Sequence, residues 1–414
     1  MHRINSIFRW TAFALIILVL IALAWWYFFL RAQQASVATA NAGRGAGTDA
    51  PTFSSPTGST YGNAAQNFTE RDAADGQAKA TPAELWEVNA TPTAGMGFTG
   101  SGSSTRLRFV ERSSGYVFEA DPATGKLVRL TNTLVPRVYE AQVASDGSVL
   151  ERTLNETGAI GTLLGVVATS SAATSSPAVL SGTQLPEGIR AIAFSATGSQ
   201  VAYTAQGGSG GTVLMRGQTN GTKLTQLWSS GISGWRVEWL SDGRIILTQN
   251  ASDGVPGYAY ALAPSGTVTP LVRALPGLTL LAQASSSALL FGQTSDGSLL
   301  LFGQVDQKST PVPLPIKTIA DKCVWGVGKA LVAYCAVPQQ APAPGFLDRW
   351  YRGEAHTADA WWQVDVSAGS ATALLSPDPD TALDVADPTI DAGGKYIAFL
   401  NAADKSLWLL RIVQ

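Results

Sequence analysis

The sequence predicts an all-β protein, a single β-propeller, preceded by one transmembrane helix and a disordered linker. Two observations predict the propeller. Hairpins of similar sequence return along the chain, and most successive hairpin centres lie about 40 to 50 residues apart, the length of a four-stranded propeller blade. Charged residues are 14% of the chain and glycine occurs 42 times, a composition that favours a turn-rich β protein over a helical cytosolic enzyme.

The membrane segment is predicted at residues 10–30, after an N-terminal tail at 1–9. Its sequence, WTAFALIILVLIALAWWYFFL, contains no charged or helix-breaking residue, and as a helix it is about 31 Å long, enough to cross one bilayer core. Aromatic residues at both ends suit the depth of lipid headgroups. A slight excess of positive charge before the segment predicts a cytoplasmic N-terminus. Cleavage as a signal peptide is the alternative, because the small residues ATANAG follow.

Residues 31–82 are predicted to form a disordered linker. The stretch is rich in Ala, Gly, Ser and Thr and shows neither the period of a strand nor that of a helix. A flexible chain of this length has an r.m.s. reach of roughly 40 Å. The linker therefore allows the rest of the chain, 83–414, to stand away from a membrane surface.

The propeller is predicted for residues 83–414. The first hairpin of a blade returns as AIAFSATGSQVAYTA, VEWLSDGRIILTQN and TIDAGGKYIAFLNA, with glycine at the turn, where a tight hairpin needs positive φ. We count seven blades, with six as the alternative: 93–132, 137–180, 188–229, 234–274, 277–316, 319–376 and 385–413. The last blade is one strand short, and ELWEVNA at 84–90 is placed to supply its outer strand and close the ring.

The segments FSATGSQVAYTA and DAGGKYIAFLNAADKSLWLL resemble the repeats of TolB-type, WD-repeat-like bacterial β-propellers, in which a Ser/Asp/Gly turn joins two strands. The resemblance covers roughly 84–414, although the Trp-Asp and Gly-His dipeptides of true WD repeats are absent. It implies the propeller fold. For function it implies binding to a protein partner or a ligand, since propellers of this type serve as binding platforms, assembly factors and enzyme lids.

The candidate binding residues lie around an insertion in blade six. Residues 337 to about 360 separate the second strand of that blade from the third, and loops of this length are usually functional or disordered. Topology predicts that the insertion shares a face of the propeller with the acidic loop at 376–387. The candidates belong to types that are common in binding sites or that carry charge: Trp350, Tyr351, Arg352, His356, Asp378, Asp380 and Asp384. Packing of the insertion onto its own blade is the alternative.

The two cysteines are predicted to form a disulfide. Cys323 and Cys335 flank VWGVGKALVAY, which has the pattern of strand, glycine turn and strand and places the cysteines opposite each other. Outside the cytosol such a pair oxidises when the Cβ atoms lie close enough. Two buried free thiols are the alternative.

Several chemistries lack the residues that they require. GGSGG at 207–211 matches G-x-S-x-G, but it lies in a hairpin, and His356 is the only histidine outside the N-terminal tail. Two cysteines and one histidine do not complete a zinc site. We predict no cofactor, with Ca²⁺ on the acidic loop as the alternative, although the EF-hand pattern is missing. With 28 basic and 30 acidic residues and no basic cluster in the propeller, nucleic acid is not an expected partner.

We therefore expect a single-pass membrane protein whose propeller is extracytoplasmic. It would be a binding or scaffolding module for a protein or glycan partner in the cell envelope, and not an enzyme. One alternative is a glycan-active enzyme that uses two carboxylates of the acidic loop, which requires carboxyl groups about 5 to 9.5 Å apart across a cleft. The other is a structural spacer without a ligand.

Overall fold

The structure is a computed structural model that describes residues 84–156, 158–167, 178–208, 210–328, 330–378 and 381–412. These residues form a seven-bladed β-propeller in which each blade is a four-stranded antiparallel sheet. The predicted all-β propeller and the count of seven blades are confirmed. The membrane segment at 10–30 and the linker at 31–82 lie outside the described residues. Within the described ranges, no helix has the length and apolar character that a membrane crossing requires.

The strands are numbered in chain order from β1 (Leu85–Asn89). Blade one contains β2 (Thr93–Thr99), β3 (Arg106–Glu111), β4 (Val117–Ala120) and β5 (Leu127–Arg129). Blade two contains β6 (Val138–Val143), β7 (Val149–Leu154), β8 (Ile160–Val167) and β9 (Leu180–Gln184). Blade three contains β10 (Ala191–Phe194), β11 (Gln200–Gln206), β12 (Thr212–Gln218) and β13 (Thr225–Ser230). Blade four contains β14 (Trp235–Trp239), β15 (Ile245–Gln249), β16 (Pro256–Leu262) and β17 (Val268–Pro276).

The remaining blades follow the same order. Blade five contains β18 (Thr279–Ala282), β19 (Leu289–Ser295), β20 (Ser298–Gln304) and β21 (Val312–Pro313). Blade six contains β22 (Cys323–Trp325), β23 (Val332–Pro338), β24 (Asp359–Asp365) and β25 (Ser370–Leu375). Blade seven contains β26 (Val385–Ile390), β27 (Tyr396–Asn401) and β28 (Leu407–Arg411), with β1 as its fourth strand.

Strand β1 closes the ring, as predicted. It pairs antiparallel with β28, so that Leu85 lies opposite Leu410 and Trp86 opposite Leu409. The edge that β28 would otherwise expose is therefore covered. The predicted end of blade two was wrong: it was expected at about 180, but β9 begins there and runs to Gln184. Strand β9 was missed because its sequence, LSGTQ, lacks the apolar alternation that marks a strand. Only Leu180 of β9 is buried.

The core lies between neighbouring blades. Between blades six and seven, the rings of Trp361 and Phe399 are 5.4 Å apart, and both side chains are buried. Between blades one and two the innermost strands approach so closely that a Cβ atom at Gly95 would lie 1.8 Å from the carbonyl oxygen of Ala141. Glycine is required at that position because any side chain would push β2 away from β6.

Two ends of the propeller can be distinguished by its connections. The links from the second to the third strand of each blade, and from each blade to the next, leave the strands at one end, which we call the upper face. Two short 3-10 helices, Gly102–Ser104 and Ala320–Lys322, accompany the strands. The blade-six insertion is not only a loop, because it contains the short helix α1 (Phe346–Tyr351).

The predicted disulfide is present. Cys323 on β22 lies directly opposite Cys335 on β23, and the two sulfurs are bonded. The turn between the strands thus gives the register that the sequence pattern predicted. Both cysteines are buried.

Candidate functional site

The blade-six insertion, residues 339–358, lies across the upper face and is here called the strap. Helix α1 begins with two apolar residues, Phe346 and Leu347, whose side chains are buried. They pack against Ala251 of blade four, Leu299 of blade five and Ile319 before blade six. These contacts support the packing alternative for the first half of α1, and they fix the helix on the propeller.

Polar contacts hold the start of α1 to blade four. The backbone N–H of Asp348 donates to the carboxylate of Asp253 at 3.3 Å, and the backbone N–H of Asp253 donates to the carboxylate of Asp348 at 3.2 Å. The hydroxyl of Ser252 donates to the same Asp348 carboxylate. The strap therefore links blade six to a loop of blade four, two blades away.

A buried ion network lies beneath the other end of the strap. The ammonium group of Lys322 is fully buried and lies 2.5 Å from a carboxylate oxygen of Asp359 and 2.5 Å from one of Asp384. Both carboxylates are also buried. The Thr357 hydroxyl accepts a hydrogen bond from Lys322 and donates one to Asp384. A buried charge needs such partners, because its desolvation is otherwise unfavourable.

The strap adds two hydrogen bonds to Asp384. The indole N–H of Trp350 donates to its two oxygens at 2.9 and 3.0 Å, and Nδ1 of His356 lies 2.9 Å from Oδ2. Burial by itself would raise the pKa of Asp384, but Lys322 and these hydrogen bonds outweigh it and hold the pKa below its usual range. Burial raises the pKa of Asp359, which Lys322 offsets only in part.

This contact gives His356 a defined orientation. A carboxylate oxygen accepts hydrogen bonds, so Nδ1 of His356 is the donor in this contact and Nε2 is the ring nitrogen that the contact leaves free. The imidazole side chain is 39% exposed. Such an arrangement can orient a base, but within the described residues no hydroxyl or thiol hydrogen-bonds to His356.

A cavity of about 470 Å³ occupies the central channel. It is lined mainly by residues of the innermost strands of blades two to seven and of the segments that precede them, with Arg152, Ile246 and Thr248 from second strands. Seven of these residues are ionisable: Glu140, Arg152, Arg190, Arg236, Glu238, Asp321 and Asp387. The channel is thus rich in charged side chains, although the protein as a whole is poor in charge.

The strap also reaches the channel. The guanidinium of Arg236 binds both carboxylate oxygens of Asp321, one of them at 3.0 Å. The hydroxyl of Tyr351 donates to Asp321 at 2.7 Å, and Arg236 lies 6.0 Å from the centre of the Tyr351 ring. Burial would raise the pKa of Asp321, but Arg236 and Tyr351 lower it below its usual range. Asp321 and Lys322, which are consecutive in the chain, therefore join the channel to the buried ion network.

The structure brings together four of the predicted binding residues. Trp350 and His356 meet Asp384, while Tyr351 is next to Trp350, with ring centres 5.0 Å apart, and turns toward the channel. Two others do not join them: Arg352 forms an exposed ion pair with Glu354, and Asp378 is exposed. Asp380 lies outside the described residues. Asp384 was predicted as a surface contact but is only 1% exposed, because the strap and Lys322 cover it.

The sequence reasoning missed the channel residues and Lys322. A signal for the channel was present, because charged residues occur within the first strand of several predicted blades, where the chain lies at the centre of the ring: Glu140, Arg236, Glu238 and Asp387. In a chain with so few charges, such positions indicate a polar centre. No comparable signal identified Lys322, which lies between a disulfide cysteine and an acidic residue.

No arrangement of three or more His, Cys, Asp or Glu side chains suited to hold a metal ion occurs in the part of the chain that the structure describes. Ser209 of the GGSGG stretch lies outside that part. The orphan oxygen Oδ1 of Asp359 is buried without a hydrogen-bond partner among the described residues.

Comparison with known proteins shows the fold alone. No family model matches the chain, and no curated protein matches it. Among solved structures, an oligogalacturonate lyase in complex with manganese covers 82% of this chain and 95% of its own, at 10% identity and a TM-score of 0.50. A streptogramin B lyase covers 80% and 97%, at 15% identity and a TM-score of 0.49. The match to the β-propeller domain of the trilobed protease from Pyrococcus furiosus covers 78% of this chain and 98% of that domain's chain, at 10% identity and a TM-score of 0.48.

Proposed function

We propose that this protein is a binding module and that its partner, a protein or a glycan of the cell envelope, docks on the upper face at the mouth of the central channel. The predicted membrane segment and linker would hold the propeller outside the cytoplasm. This is the role expected of a TolB-type, WD-repeat-like propeller. Scaffolding of an envelope assembly would use the same face.

One observation carries the proposal. The strap, which is the longest departure from the blade pattern, lies at the edge of a channel cavity whose ionisable groups are only partly paired. Unpaired charged groups in a concave site are typical of ligand recognition. Tyr351, which is 39% exposed, adds an aromatic group at the same place. Tyrosine, tryptophan and arginine are the residue types that contribute most in binding interfaces.

The disulfide supports an extracytoplasmic location, because such bonds persist in oxidising compartments. Its presence also simplifies the test, since bonded cysteines do not react with a maleimide. A Ser55→Cys variant of the full chain carries a single free thiol in the predicted linker. Labelling by a membrane-impermeant maleimide on intact cells is the expected result. Protection until lysis would place the linker inside and contradict the proposed location.

The binding role is tested with a photo-activated cross-linking amino acid at Arg352. That side chain is exposed and pairs only with Glu354 among the described residues, so its replacement leaves the strap contacts in place. The control carries the same amino acid at Thr124, an exposed residue in the turn between β4 and β5, at the opposite end of the blades. We expect one defined partner at 352 and not at 124, with binding reproduced from purified components. Equal cross-linking at both sites, or none at 352, would contradict the proposal.

The enzymatic alternative finds less support. An acid and a base need accessible carboxyl groups on either side of a substrate, whereas Asp384 is buried and hydrogen-bonded by four side chains. Asp378 is exposed at the surface. The spacer alternative predicts that the cross-linker at 352 captures nothing. Capture of a defined partner at 352 would therefore contradict it, and no capture would favour it.

A further inference from the structure

The charges of the central channel are unbalanced. Its lining contains three arginines and four acidic residues. Two pairs are internally satisfied: Arg152 lies 2.5 Å from Glu140, and Arg236 binds Asp321. Glu238, Asp387 and Arg190 have no hydrogen bond or ion pair through their side chains among the described residues. Of the unpaired groups, two are acidic and one is basic.

Glu238 lies on β14, two residues after Arg236, on the same side of the strand. Burial raises the pKa of Glu238, and Arg236 and Arg244 offset the rise only in part, so that the pKa is about 7. The Asp321 carboxylate nearby adds repulsion. Glu238 therefore lines the cavity without an ion-pair partner among the described residues.

Asp387 reaches the cavity through an irregularity of β26. The register of β26 against β27 shifts between Ala386 and Thr389, and Asp387 has a φ of 51°, a left-handed conformation that residues other than glycine seldom adopt. Such bulges re-aim a side chain. The side chain of Asp387 is exposed to the cavity. The channel walls around it still raise its pKa, Asp321 raises it further, and Lys405 and Arg236 offset only part of the rise.

We propose that the channel binds a cationic group, an amine or a guanidinium, which approaches both Glu238 and Asp387 and is carried by an extended polypeptide segment of the partner. This inference rests on the proposed binding function and names the chemistry of its site. Both carboxyl groups line the same cavity, together with Arg236 and Asp321. A cation bound there offers these two carboxyl groups the charge-assisted partner that they lack and offsets the imbalance.

The channel continues into a groove that fits the rest of such a segment. A second cavity of about 490 Å³ lies over blades three and four and shares Arg190, Ala191 and Arg236 with the channel. The side-chain amides of Gln206 and Asn250 line it and have no hydrogen-bond partner among the described residues. Amide side chains of this kind can pair with the N–H and C=O groups of a peptide backbone. The groove therefore favours a polypeptide as the carrier of the cation.

The test uses the full chain and a blocked tripeptide, acetyl-Gly-Arg-Gly-amide, with the citrulline analogue as a matched probe of equal shape and no charge. Isothermal titration at low ionic strength measures both. We expect the citrulline probe to bind at least tenfold more weakly. Glu238→Gln and Asp387→Asn are each expected to weaken binding of the arginine probe about tenfold, whereas Glu187→Gln, which removes an exposed carboxylate that lines neither cavity, does not weaken it.

Both acidic variants replace an unpaired carboxyl group by a neutral amide of the same shape, so we expect both to fold. A circular dichroism spectrum and a melting temperature equal to those of the wild type verify this. Equal binding of the two probes, or wild-type affinity in both acidic variants, would overturn the inference. Binding of a glucosamine trimer in place of the arginine probe would overturn the choice of a polypeptide.

The outcome is separable from that of the proposed function. Cross-linking at 352 with a partner whose binding is unaffected by Glu238→Gln and Asp387→Asn would refute the cationic group and leave the binding module intact. Binding of the arginine probe without any partner captured at 352 would refute docking at the strap.

Discussion

Glu151 offers a direct test of how the interior of the blades controls stability. It lies on β7 and is completely buried, and neither of its carboxylate oxygens has a hydrogen-bond partner among the described residues. The residues directly opposite on the neighbouring strands are Ala141 and Leu163, which belong to or pack against the apolar cluster between blades one and two. The carboxyl group is therefore surrounded by apolar side chains.

This environment raises the pKa of Glu151 from its ordinary value of 4.5 to about 8, because burial disfavours the charged form. Between these values the folded protein holds a proton that the unfolded chain has released. The stabilising effect of that proton is complete below about pH 4.5 and is lost as the pH rises toward 8. Over the whole interval the loss corresponds to about 5 kcal/mol of unfolding free energy.

The variant Glu151→Gln removes the titrating group and keeps its shape. Urea unfolding of the wild type and the variant, followed by tryptophan fluorescence between pH 5 and pH 9, measures the difference. We expect the wild type to lose several kcal/mol more than the variant across this range. Glu187→Gln is the matched control, because this glutamate of the next connection is exposed, and its curve should follow that of the wild type.

Parallel curves for the wild type and Glu151→Gln would refute the reasoning, since they would show that the carboxyl group has a partner or solvent in solution. The change Glu151→Met carries a second expectation. It replaces an unpaired polar group by an apolar one of similar length and should stabilise the protein at pH 7 by about 1 to 3 kcal/mol.

Three further changes test other parts of the molecule. Replacing Cys323 and Cys335 by alanine should lower the free energy of unfolding by about 3 kcal/mol, because the disulfide closes a loop with a sequence separation of 12. Urea unfolding with and without reductant measures this free energy. An unchanged value would mean that the bond does not form. Lys322→Met leaves two buried carboxylates without their cation and should cost about 3 to 5 kcal/mol, measured by thermal unfolding; wild-type stability would show that the network is not charged. Deleting residues 84–90 removes β1 and should make blade seven sensitive to limited proteolysis, whereas protection equal to that of the wild type would contradict closure by this strand.

The blade pattern was predictable because it depends on local features. Alternating apolar residues and glycine turns specify each hairpin, and the missing strand of the last blade indicated how the ring closes. The cysteine pair followed from the same logic, since the register of Cys323 and Cys335 is set by one short turn.

For the candidate site, the sequence allowed some of the residues to be predicted, but not their contacts with one another. Trp350, His356 and Asp384 were singled out by residue type, but their mutual contacts depend on Lys322, which comes from a different connection. Helix α1 was missed because FLDRWY is too short to show a period. Sequence also gave no means of telling the exposed Asp378 from the buried Asp384, since burial of an acidic residue is decided by whichever cation the fold brings to it.

The pairing of β1 with β28 has a consequence for how the chain reaches its native state. The other six blades form from strands that are consecutive in sequence, and each can assemble as soon as its own strands are available. Blade seven must instead join Leu85 to Leu410, a contact that spans almost the whole described chain. Contacts between such distant residues form slowly, because the entropy of closing the intervening loop is lost before the contact compensates for it. During synthesis, β1 therefore emerges from the ribosome first and finds its partner last, and until then it requires protection from pairing with other chains.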